Sequence, residues 1–315
     1  MKKKLPLKRS VYLQSFLQSL PAVLAWKLFR RKPKTHRFLQ HDLSIDMTSQ
    51  RLSEAIEANE PFAAIRIGAV EMGALHNYER MQLGLKKSFK LSVRYSMKNN
   101  AGFFPTDDKN LTYYAKHFIK DAPKTDLLGI SGLHMETYMA RRYFASAQYG
   151  LYEGFEPLRG NWIQSLKGKR VLVISPFAKD IEAQYKQRKK LFPEGVLPEF
   201  DLLTYTCVLT IGTQKDDRYE SWFEALDAMK VEILKLDFDV ALVGAGAFGS
   251  HLVWFIKSSL RKVAIQTGGA TQTMFGIMGR RWEHRPHVAQ YFNAHWIRPT
   301  VKPDGYQGVE QGAYW

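Results

Sequence analysis

Cysteine is almost absent from this chain, since Cys207 is the single one among 315 residues. One cysteine excludes an internal disulfide framework and a zinc site built from cysteines. Cys207 lies in an apolar run, which favours a small buried side chain. The nine histidines show no H-E-x-x-H spacing, and the sequence contains no G-x-S-x-G nucleophile elbow. The metalloprotease and α/β-hydrolase signatures are therefore missing.

Acidic residues are missing from residues 1–41, which contain eleven Lys and Arg and supply +11 of the net charge of +16. The rest of the chain has 35 basic and 30 acidic residues, which is an ordinary surface balance. The positive charge therefore belongs to the N-terminus and not to a face of a folded domain. For this reason we expect no nucleic-acid partner.

A long uninterrupted apolar run is missing as well. The segment VYLQSFLQSLPAVLAWKLF lies between a basic head and the basic run Arg30-Arg31-Lys32-Pro33-Lys34, and glutamines and Pro21 interrupt it. A membrane span needs about 20 mostly apolar residues, and a signal peptide needs a small-residue cleavage site that is not present. The apolar side chains recur at helical spacing, at Leu13, Phe16, Leu17, Leu20 and Leu24.

This spacing predicts an amphipathic helix that lies on an anionic membrane surface, held by the basic clusters at its two ends. The alternative is a helix that packs on the domain. In the first case residues 1–41 are a membrane-proximal segment. The protein is then cytoplasmic and peripheral, on the inner face of a bacterial cytoplasmic membrane.

Residues 42–315 are predicted to form a single domain with a Rossmann-like, doubly wound α/β fold. Runs typical of buried strands alternate with helical patterns, which indicates a mostly parallel sheet. The predicted strands are Phe62–Ile67, Asp126–Ile130, Arg170–Ile174, Leu202–Ile211, Val240–Val243 and Val263–Gln266. The tail from Trp296 to Trp315 is irregular and aromatic.

The predicted strand Val240–Val243 leads into a glycine turn. Gly244, Gly246 and Gly249 satisfy G-x-G-x-x-G, in which backbone amides and a helix N-terminus can approach an anion. A second turn, Gly268-Gly269, follows the next strand. An NAD site needs Asp or Glu at the end of that strand to bind the ribose, whereas Gln266 stands there. We therefore expect a nucleotide or nucleotide-sugar pocket and not an NAD site.

Ligands of such sheets bind outside the carboxyl ends of the strands. That rule gathers segments 66–71, 131–134, 175–177, 244–249 and 268–272 onto one rim. The candidate residues for binding a nucleotide sugar are Gly68, Ser175, Phe177, Gly244, Gly246, Gly249, Gly268, Gly269, Gln272, Arg280, Arg281 and Trp282.

Charged residues near these turns are candidates for the chemistry. Arg280 and Arg281 are suited to bidentate phosphate recognition, and Trp282 offers a ring for stacking. The alternative is a solvated basic turn with a core tryptophan. Glu71 and Arg66 are the candidate catalytic residues, with Glu71 as a general base or a metal ligand. The alternative is an Arg66–Glu71 ion pair that braces the turn.

Three other polar clusters carry less weight. Asp237-Phe238-Asp239 matches the Asp-x-Asp metal motif, but it precedes its strand and so lies opposite the expected crevice. We interpret these residues as strand-start residues. His134 with Glu136, and the run Glu283-His284-Arg285, are candidates by location only.

Several motifs resemble those of bacterial glycosyltransferases of the GT-D type. The first predicted strand with RIGAVE resembles the family signature R-(F/I)-G-D-G-E. Related proteins encoded with capsule or exopolysaccharide genes have runs that look like NNAGFFP, VLVISPFAKDIEAQYKQRKKLF, DVALVGAGAFG, GGATQTMFGIMGRRW and EQGAYW. The likeness covers most of the chain from about Asp42 onward, and G-G-x-x-Q-x-x-F-G-I-x-G-x-R-W is its most specific part.

The resemblance implies a Rossmann-like fold, a nucleotide-sugar donor, and a divalent metal, Mn²⁺ or Mg²⁺, held through the Asp-x-Glu of the signature. Arg66, Gly68 and Glu71 match the signature, whereas Ala69 stands at the position of its Asp. Glu71 is thus the one signature carboxylate that remains to bind a metal.

From these observations we expect a glycosyltransferase that transfers a sugar from a nucleotide-sugar donor to a glycan or lipid-linked acceptor in surface polysaccharide biosynthesis. Ala69 favours one alternative, a non-catalytic nucleotide- or glycan-binding regulator on a degenerate transferase fold. A second alternative, an NAD-type oxidoreductase, is disfavoured by Gln266.

Overall fold

The structure is a computed structural model that describes residues 2, 4–29 and 41–315, with the backbone alone for residues 21–29. The basic run Arg30-Arg31-Lys32-Pro33-Lys34 lies outside the described residues. The predictions for that run therefore stay predictions.

The described residues contain seven strands: β1 Phe62–Arg66, β2 Leu127–Ile130, β3 Gln148–Leu151, β4 Arg170–Ser175, β5 Asp201–Thr206, β6 Val240–Val243 and β7 Val263–Ile265. They form one sheet in the order β3-β2-β1-β7-β6-β4-β5. Every neighbouring pair is parallel. The predicted α/β, Rossmann-like fold with a parallel sheet is confirmed.

Two strands differ from the predicted ones. The edge strand β3, with the sequence QYGL, is absent from the predicted set because its glutamine and glycine break the apolar run that marks β6, with the sequence VALV. The predicted strand Leu202–Ile211 is too long, since β5 ends at Thr206. β5 is the other edge of the sheet, and residues 207–211 leave it to line a cavity.

The helices of the described residues are α1 Arg9–Phe29, α2 Ile45–Ala58, α3 Ala69–Gln82, α4 Leu91–Asn99, α5 Asp108–Asp121, α6 Glu136–Tyr143, α7 Ala178–Lys186, α8 Arg188–Leu191, α9 Trp222–Ile233, α10 Phe248–Phe255, α11 Thr271–Met274 and α12 Pro286–Ala289. Ser44, Asp107 and Ser221 cap α2, α5 and α9, because each side chain accepts a hydrogen bond from the backbone N–H three residues later.

Helices cover both faces of the sheet, and strand residues alternate between the two layers. In β4, Leu172 and Ile174 belong to the core that includes α3, α4, α5, α6, α9 and α10. Val171 and Val173 belong to the other core, with α2, α7, α8, α11 and α12. Both faces are therefore buried, as in a doubly wound fold.

A crevice opens between the carboxyl ends of β4 and β6. β4 leads to β5 on one side, and β6 leads to β7 on the other. The helices that follow these strands lie on opposite faces, because Ile181 of α7 and Leu252 of α10 belong to different cores. Ligands of open α/β sheets bind at such a point, and the predicted rim lies along it.

Asp237 and Asp239 lie at the opposite, amino edge of the sheet. The Asp239 carboxylate accepts a hydrogen bond from the backbone N–H of Arg170 at 2.9 Å and from its guanidinium at 2.7 Å. Asp237 pairs with the same guanidinium. These contacts join the starts of β4 and β6 and confirm that the two aspartates are strand-start residues.

The described side chains of α1 have one packed side and one exposed side. Tyr12 is 2% exposed, its hydroxyl shares a hydrogen bond with His76 Nε2, and its ring meets Tyr138 edge-on at 5.8 Å. Leu13 and Leu17 are 43% and 63% exposed. One side of α1 therefore packs on the domain. Leu13 and Leu17, two of the predicted apolar residues, lie on its exposed side.

Phe16 corrects the predicted apolar stripe. Its ring packs edge-on against His134 at 5.3 Å, on the side of Tyr12, so it does not continue the exposed leucines. The reason is that Phe16 follows Tyr12 by one helical turn. The side chain of Leu24 lies outside the described part.

The N-terminal head also contacts the domain. Lys2 pairs with Asp42, and the guanidinium of Arg142 donates a hydrogen bond to the carbonyl oxygen of Leu5 at 2.9 Å. Within the described residues, no helix is both long enough and apolar enough to cross a membrane.

Candidate functional site

A cavity of 270 Å³ lies at the carboxyl ends of β1, β4, β5, β6 and β7. We name it the glycine cavity, because both predicted glycine turns line it. Segments after all five strands contribute, and Asn100–Gly102 and the tail residues Glu310 and Tyr314 close it. The structure thus brings together most of the predicted rim.

The turn after β6 approaches the turn after β7 closely. A Cβ on Gly244 would lie 2.7 Å from the carbonyl oxygen of Gly268. Gly246 has a φ of +51°, which favours glycine. Gly249 lies outside the cavity, where a Cβ would meet Gln266 Nε2 at 2.8 Å. The first two glycines therefore line the site, and the third permits close packing of α10 on β7.

The turn after β7 lets two side chains approach the backbone. Gly268 has a φ of +58°, and a Cβ there would lie 2.9 Å from Arg66 Nη2. A Cβ on Gly269 would lie 2.3 Å from a ring carbon of Tyr314. Each glycine is required by a neighbour as well as by the turn, and both line the cavity.

Glu71 lies in the first turn of α3 and lines the glycine cavity. Its carboxylate folds back over Gly68, where a Cβ would lie only 2.1 Å from Oε2. Burial raises the pKa of Glu71, and its own backbone N–H and the charge of Arg66 oppose that rise. A carboxylate with a raised pKa at a cavity wall is a candidate general base.

Arg66 forms no ion pair with Glu71 in the described structure. Its guanidinium lies over the ring of Tyr152, 4.3 Å from the ring centroid, and against the backbone of Gly268. The alternative expectation, an Arg66–Glu71 ion pair that braces the turn, is therefore not met. Both side chains face the cavity instead.

The glycine cavity lacks the first carboxylate of the signature that the resemblance implies. Ala69 faces it where the resemblance implies an aspartate. Its other carboxylate, Glu310, is paired with Arg281. The described part of the chain holds no group of three or more His, Cys, Asp or Glu that could bind a metal ion. These residues do not fit the two-carboxylate site that the resemblance implies.

Ser175, Phe177 and Gln272 all line the glycine cavity. Ser175 Oγ accepts a hydrogen bond from the backbone N–H of Phe177 at 3.2 Å, which fixes the turn after β4. Gln272 donates to the carbonyl oxygen of Tyr314 at 3.1 Å and so holds the tail in place. Its buried Oε1 has no hydrogen-bond partner within the described residues.

The two neighbouring arginines are placed differently. Arg281 pairs with Glu310, lies 4.7 Å from the ring centroid of Tyr314 and reaches the glycine cavity. Arg280 is exposed, donates to the carbonyl oxygen of Gln311 at 3.0 Å and lines neither cavity. Trp282 is buried and does not line the glycine cavity. Of this trio, Arg281 alone lines the glycine cavity.

A second cavity, of 410 Å³, lies over the carboxyl ends of β1, β2 and β3. We name it the arginine cavity, since Arg66, Arg159, Arg281 and Arg285 line it, with Trp282 in its wall. The two cavities meet at the loop after β1, because Arg66, Gly68, Ala69 and Arg281 line both.

His134 and Glu136, which were candidates by location, have structural contacts. The carboxylate of Glu136 accepts hydrogen bonds from the backbone N–H groups of Ser131, Gly132 and Leu133, at 2.5 to 3.1 Å. Burial raises the pKa of Glu136 to about 7, against the effect of these donors. His134 packs against α1, so neither residue faces the glycine cavity.

Some lining residues are absent from the predicted set. Asn100–Gly102, Glu310 and Tyr314 line the glycine cavity, and the motifs NNAGFFP and EQGAYW were the signal for them. Arg159 follows β3, and nothing in the sequence marks it. Its place depends on β3, which has no continuous apolar run in the sequence.

Comparison with family models, with curated protein sequences and with solved structures gives no match to this chain.

Proposed function

We propose that this protein is a glycosyltransferase that transfers a sugar from a nucleotide-sugar donor to a glycan or lipid-linked acceptor in surface polysaccharide biosynthesis. One observation carries the proposal. Two glycine turns, after β6 and β7, close on one cavity that is also lined by a partly buried carboxylate, Glu71, and a guanidinium, Arg281. The motif resemblance to GT-D-type enzymes supports the same class.

The donor lies in the glycine cavity in this proposal. The backbone N–H of Gly246 and the positive end of the α10 dipole attract its diphosphate, as helix N-termini do for anions elsewhere. The N–H of Gly244 donates to the carbonyl oxygen of Ile174 at 2.8 Å and so fixes the turn. Arg66 and Arg281 add positive charge. Phe177 and Tyr314 offer aromatic surface for the base or the sugar.

Glu71 is the general base in this proposal. As the acceptor oxygen bonds to the anomeric carbon, its proton passes to the Glu71 carboxylate. The bond from that carbon to the diphosphate breaks, and the nucleoside diphosphate leaves with the electron pair. Arg66 and Arg281 stabilise the charge that develops on it. A raised pKa suits this role, since a base is most effective when its pKa approaches the working pH.

A non-catalytic regulator on the same fold is the second candidate. Ala69 supports it, because the signature carboxylate next to Glu71 is missing and the cavity retains its turns. An NAD-type oxidoreductase remains disfavoured. Gln266 stands where the ribose carboxylate would be, and its Oε1 already accepts a hydrogen bond from Ser250 at 3.0 Å.

A thermal-shift panel separates these three functions. The protein is mixed with UDP-, GDP- and CMP-sugars and with NAD and NADP, each with and without Mn²⁺. We expect at least one nucleotide sugar to raise the Tm, because a ligand that binds only the folded state stabilises it. Stabilisation by NAD alone would contradict the proposal. Binding of a nucleotide sugar without sugar transfer to any acceptor would favour the regulator.

The proposal includes association with the inner face of the cytoplasmic membrane through residues 1–41. Leu13 and Leu17 are exposed on α1, next to a basic head. Replacing both with glutamate should abolish flotation with anionic vesicles, because apolar burial and charge attraction both weaken. Gln14→Glu with Gln18→Glu is the matched control, since both side chains are exposed and the charge change is equal. Equal flotation of both variants would contradict this part.

A further inference from the structure

The arginine cavity has two guanidiniums of its own and two that it shares with the glycine cavity. Arg66, Arg159, Arg281 and Arg285 line it, together with Glu153 and Glu156. Arg66 and Arg281 also line the glycine cavity, where Arg281 pairs with Glu310. Glu156 Oε2 lies 2.8 Å from His287 Nε2. Arg159 and Arg285 are therefore the guanidiniums that belong to the arginine cavity alone.

Two of these guanidiniums are available to a ligand. Arg159 and Arg285 are exposed, and within the described residues their side chains form no ion pair and no hydrogen bond. Arg66 rests on the face of the Tyr152 ring, so its N–H edge stays open to both cavities. Guanidiniums with a free N–H edge bind phosphoryl oxygens in pairs.

The position of the cavity relates it to the acceptor. The two cavities meet at Gly68 and Ala69, and the carboxylate of Glu71 folds back over this same loop. A molecule seated among the arginines therefore lies across the loop from the glycine turns. With the donor in the glycine cavity, the arginine cavity is left for the second substrate.

We propose that the arginine cavity binds a phosphoryl or diphosphoryl group of the acceptor, so that the enzyme recognises a phosphorylated or diphosphate-linked glycan. The assignment of this ligand as the acceptor rests on the proposed function. The binding of a phosphoryl group in the arginine cavity does not depend on it. Arg159 and Arg285 bind the phosphoryl oxygens, and Arg66 and Arg281 connect this site to the donor.

Isothermal titration calorimetry tests the anion site with three probes. α-D-glucose 1-phosphate represents a phosphorylated sugar, geranyl diphosphate represents a lipid diphosphate, and methyl α-glucoside is the uncharged control. The wild type should bind the first, the second or both, and not the third. A preference between the two charged probes distinguishes a sugar phosphate from a lipid-linked diphosphate as the source of the group.

The Arg159→Ala, Arg285→Ala double variant should bind the charged probes at least about tenfold more weakly, because two charge-assisted contacts are lost. Both residues are exposed, so the fold should hold, and an unchanged Tm checks this. The Lys109→Ala, Lys116→Ala variant removes the same charge from exposed positions on α5 that line neither cavity. It should bind the probes as the wild type does.

Titration of the double variant with the nucleotide sugar that stabilises the wild type separates the two proposals. Unchanged donor affinity with weakened probe binding supports an acceptor site. Equal weakening of both would overturn the inference, because the arginines would then belong to the donor site. Absence of probe binding to the wild type would also overturn it. Probe binding without any nucleotide-sugar binding would contradict the proposed function and leave the anion site standing.

Discussion

The two cavities occupy the same edge of one sheet, and they differ in which part of the chain faces the ligand. In the glycine cavity the walls are largely backbone turns, with Gly244 and Gly268 in contact range of each other. In the arginine cavity the walls are long side chains such as Arg159 and Arg285. Backbone amides are fixed by the fold, whereas arginine side chains adjust to their ligand. A fixed site suits one donor, and an adjustable site suits a variable acceptor.

Replacing Glu71 with glutamine should have the largest effect. The effect should be on the rate of sugar transfer and not on the binding of the donor. The amide keeps the shape over Gly68 but cannot accept a proton, so transfer should fall by about 10²-fold to 10⁴-fold. Donor affinity should change little. Release of nucleoside diphosphate from the stabilising nucleotide sugar gives the rate, and calorimetry gives the affinity. Equal rates for the wild type and the variant would remove Glu71 as the base.

The pH dependence of the wild-type rate tests the same carboxylate. Burial raises the pKa of Glu71, so its proton-accepting form is lost at a higher pH than for an ordinary glutamate. The rate should therefore fall as the pH falls through that raised pKa, by about tenfold per unit well below it. Glu71→Gln should lack this acidic limb. If the rates of both proteins fell over the same acidic pH range, a group other than Glu71 would be responsible for the fall.

Replacing Gly268 with alanine should weaken donor binding in the glycine cavity. A Cβ there needs a left-handed backbone and meets Arg66 Nη2 at 2.9 Å, so donor affinity should fall about tenfold. Gly84→Ala is the matched control, because Gly84 has a φ of +69° with nothing within 4 Å. Both variants should lose about 1 kcal/mol of stability from the backbone strain. Equal donor affinity in the two variants would contradict a donor site at this turn.

The sequence predicts the glycine cavity far better than the arginine cavity, and the reason is physical. Gly244, Gly268 and Glu71 follow strands that are continuous apolar runs in the sequence, and parallel strands bring their carboxyl ends to one edge. Arg159 depends on β3, in which a glutamine and a glycine interrupt the apolar pattern. Glu310 and Tyr314 reach the site through an irregular tail, and no local propensity predicts where such a tail folds. Gly249 fits the motif, but in the structure it serves helix packing.

Substitutions at the adjacent residues Arg280 and Arg281 should have the smallest effects, and they test most directly whether one arginine joins the glycine cavity to the arginine cavity. Arg281 lines both cavities, so Arg281→Ala should lower the affinity for the nucleotide sugar and for α-D-glucose 1-phosphate alike. The expected loss is about threefold to tenfold for each, because Glu310 already occupies part of its guanidinium. Arg280→Ala should weaken both ligands less, since Arg280 faces solvent and binds only the tail backbone. A larger loss in Arg280→Ala than in Arg281→Ala would mean that a different arginine joins the two sites.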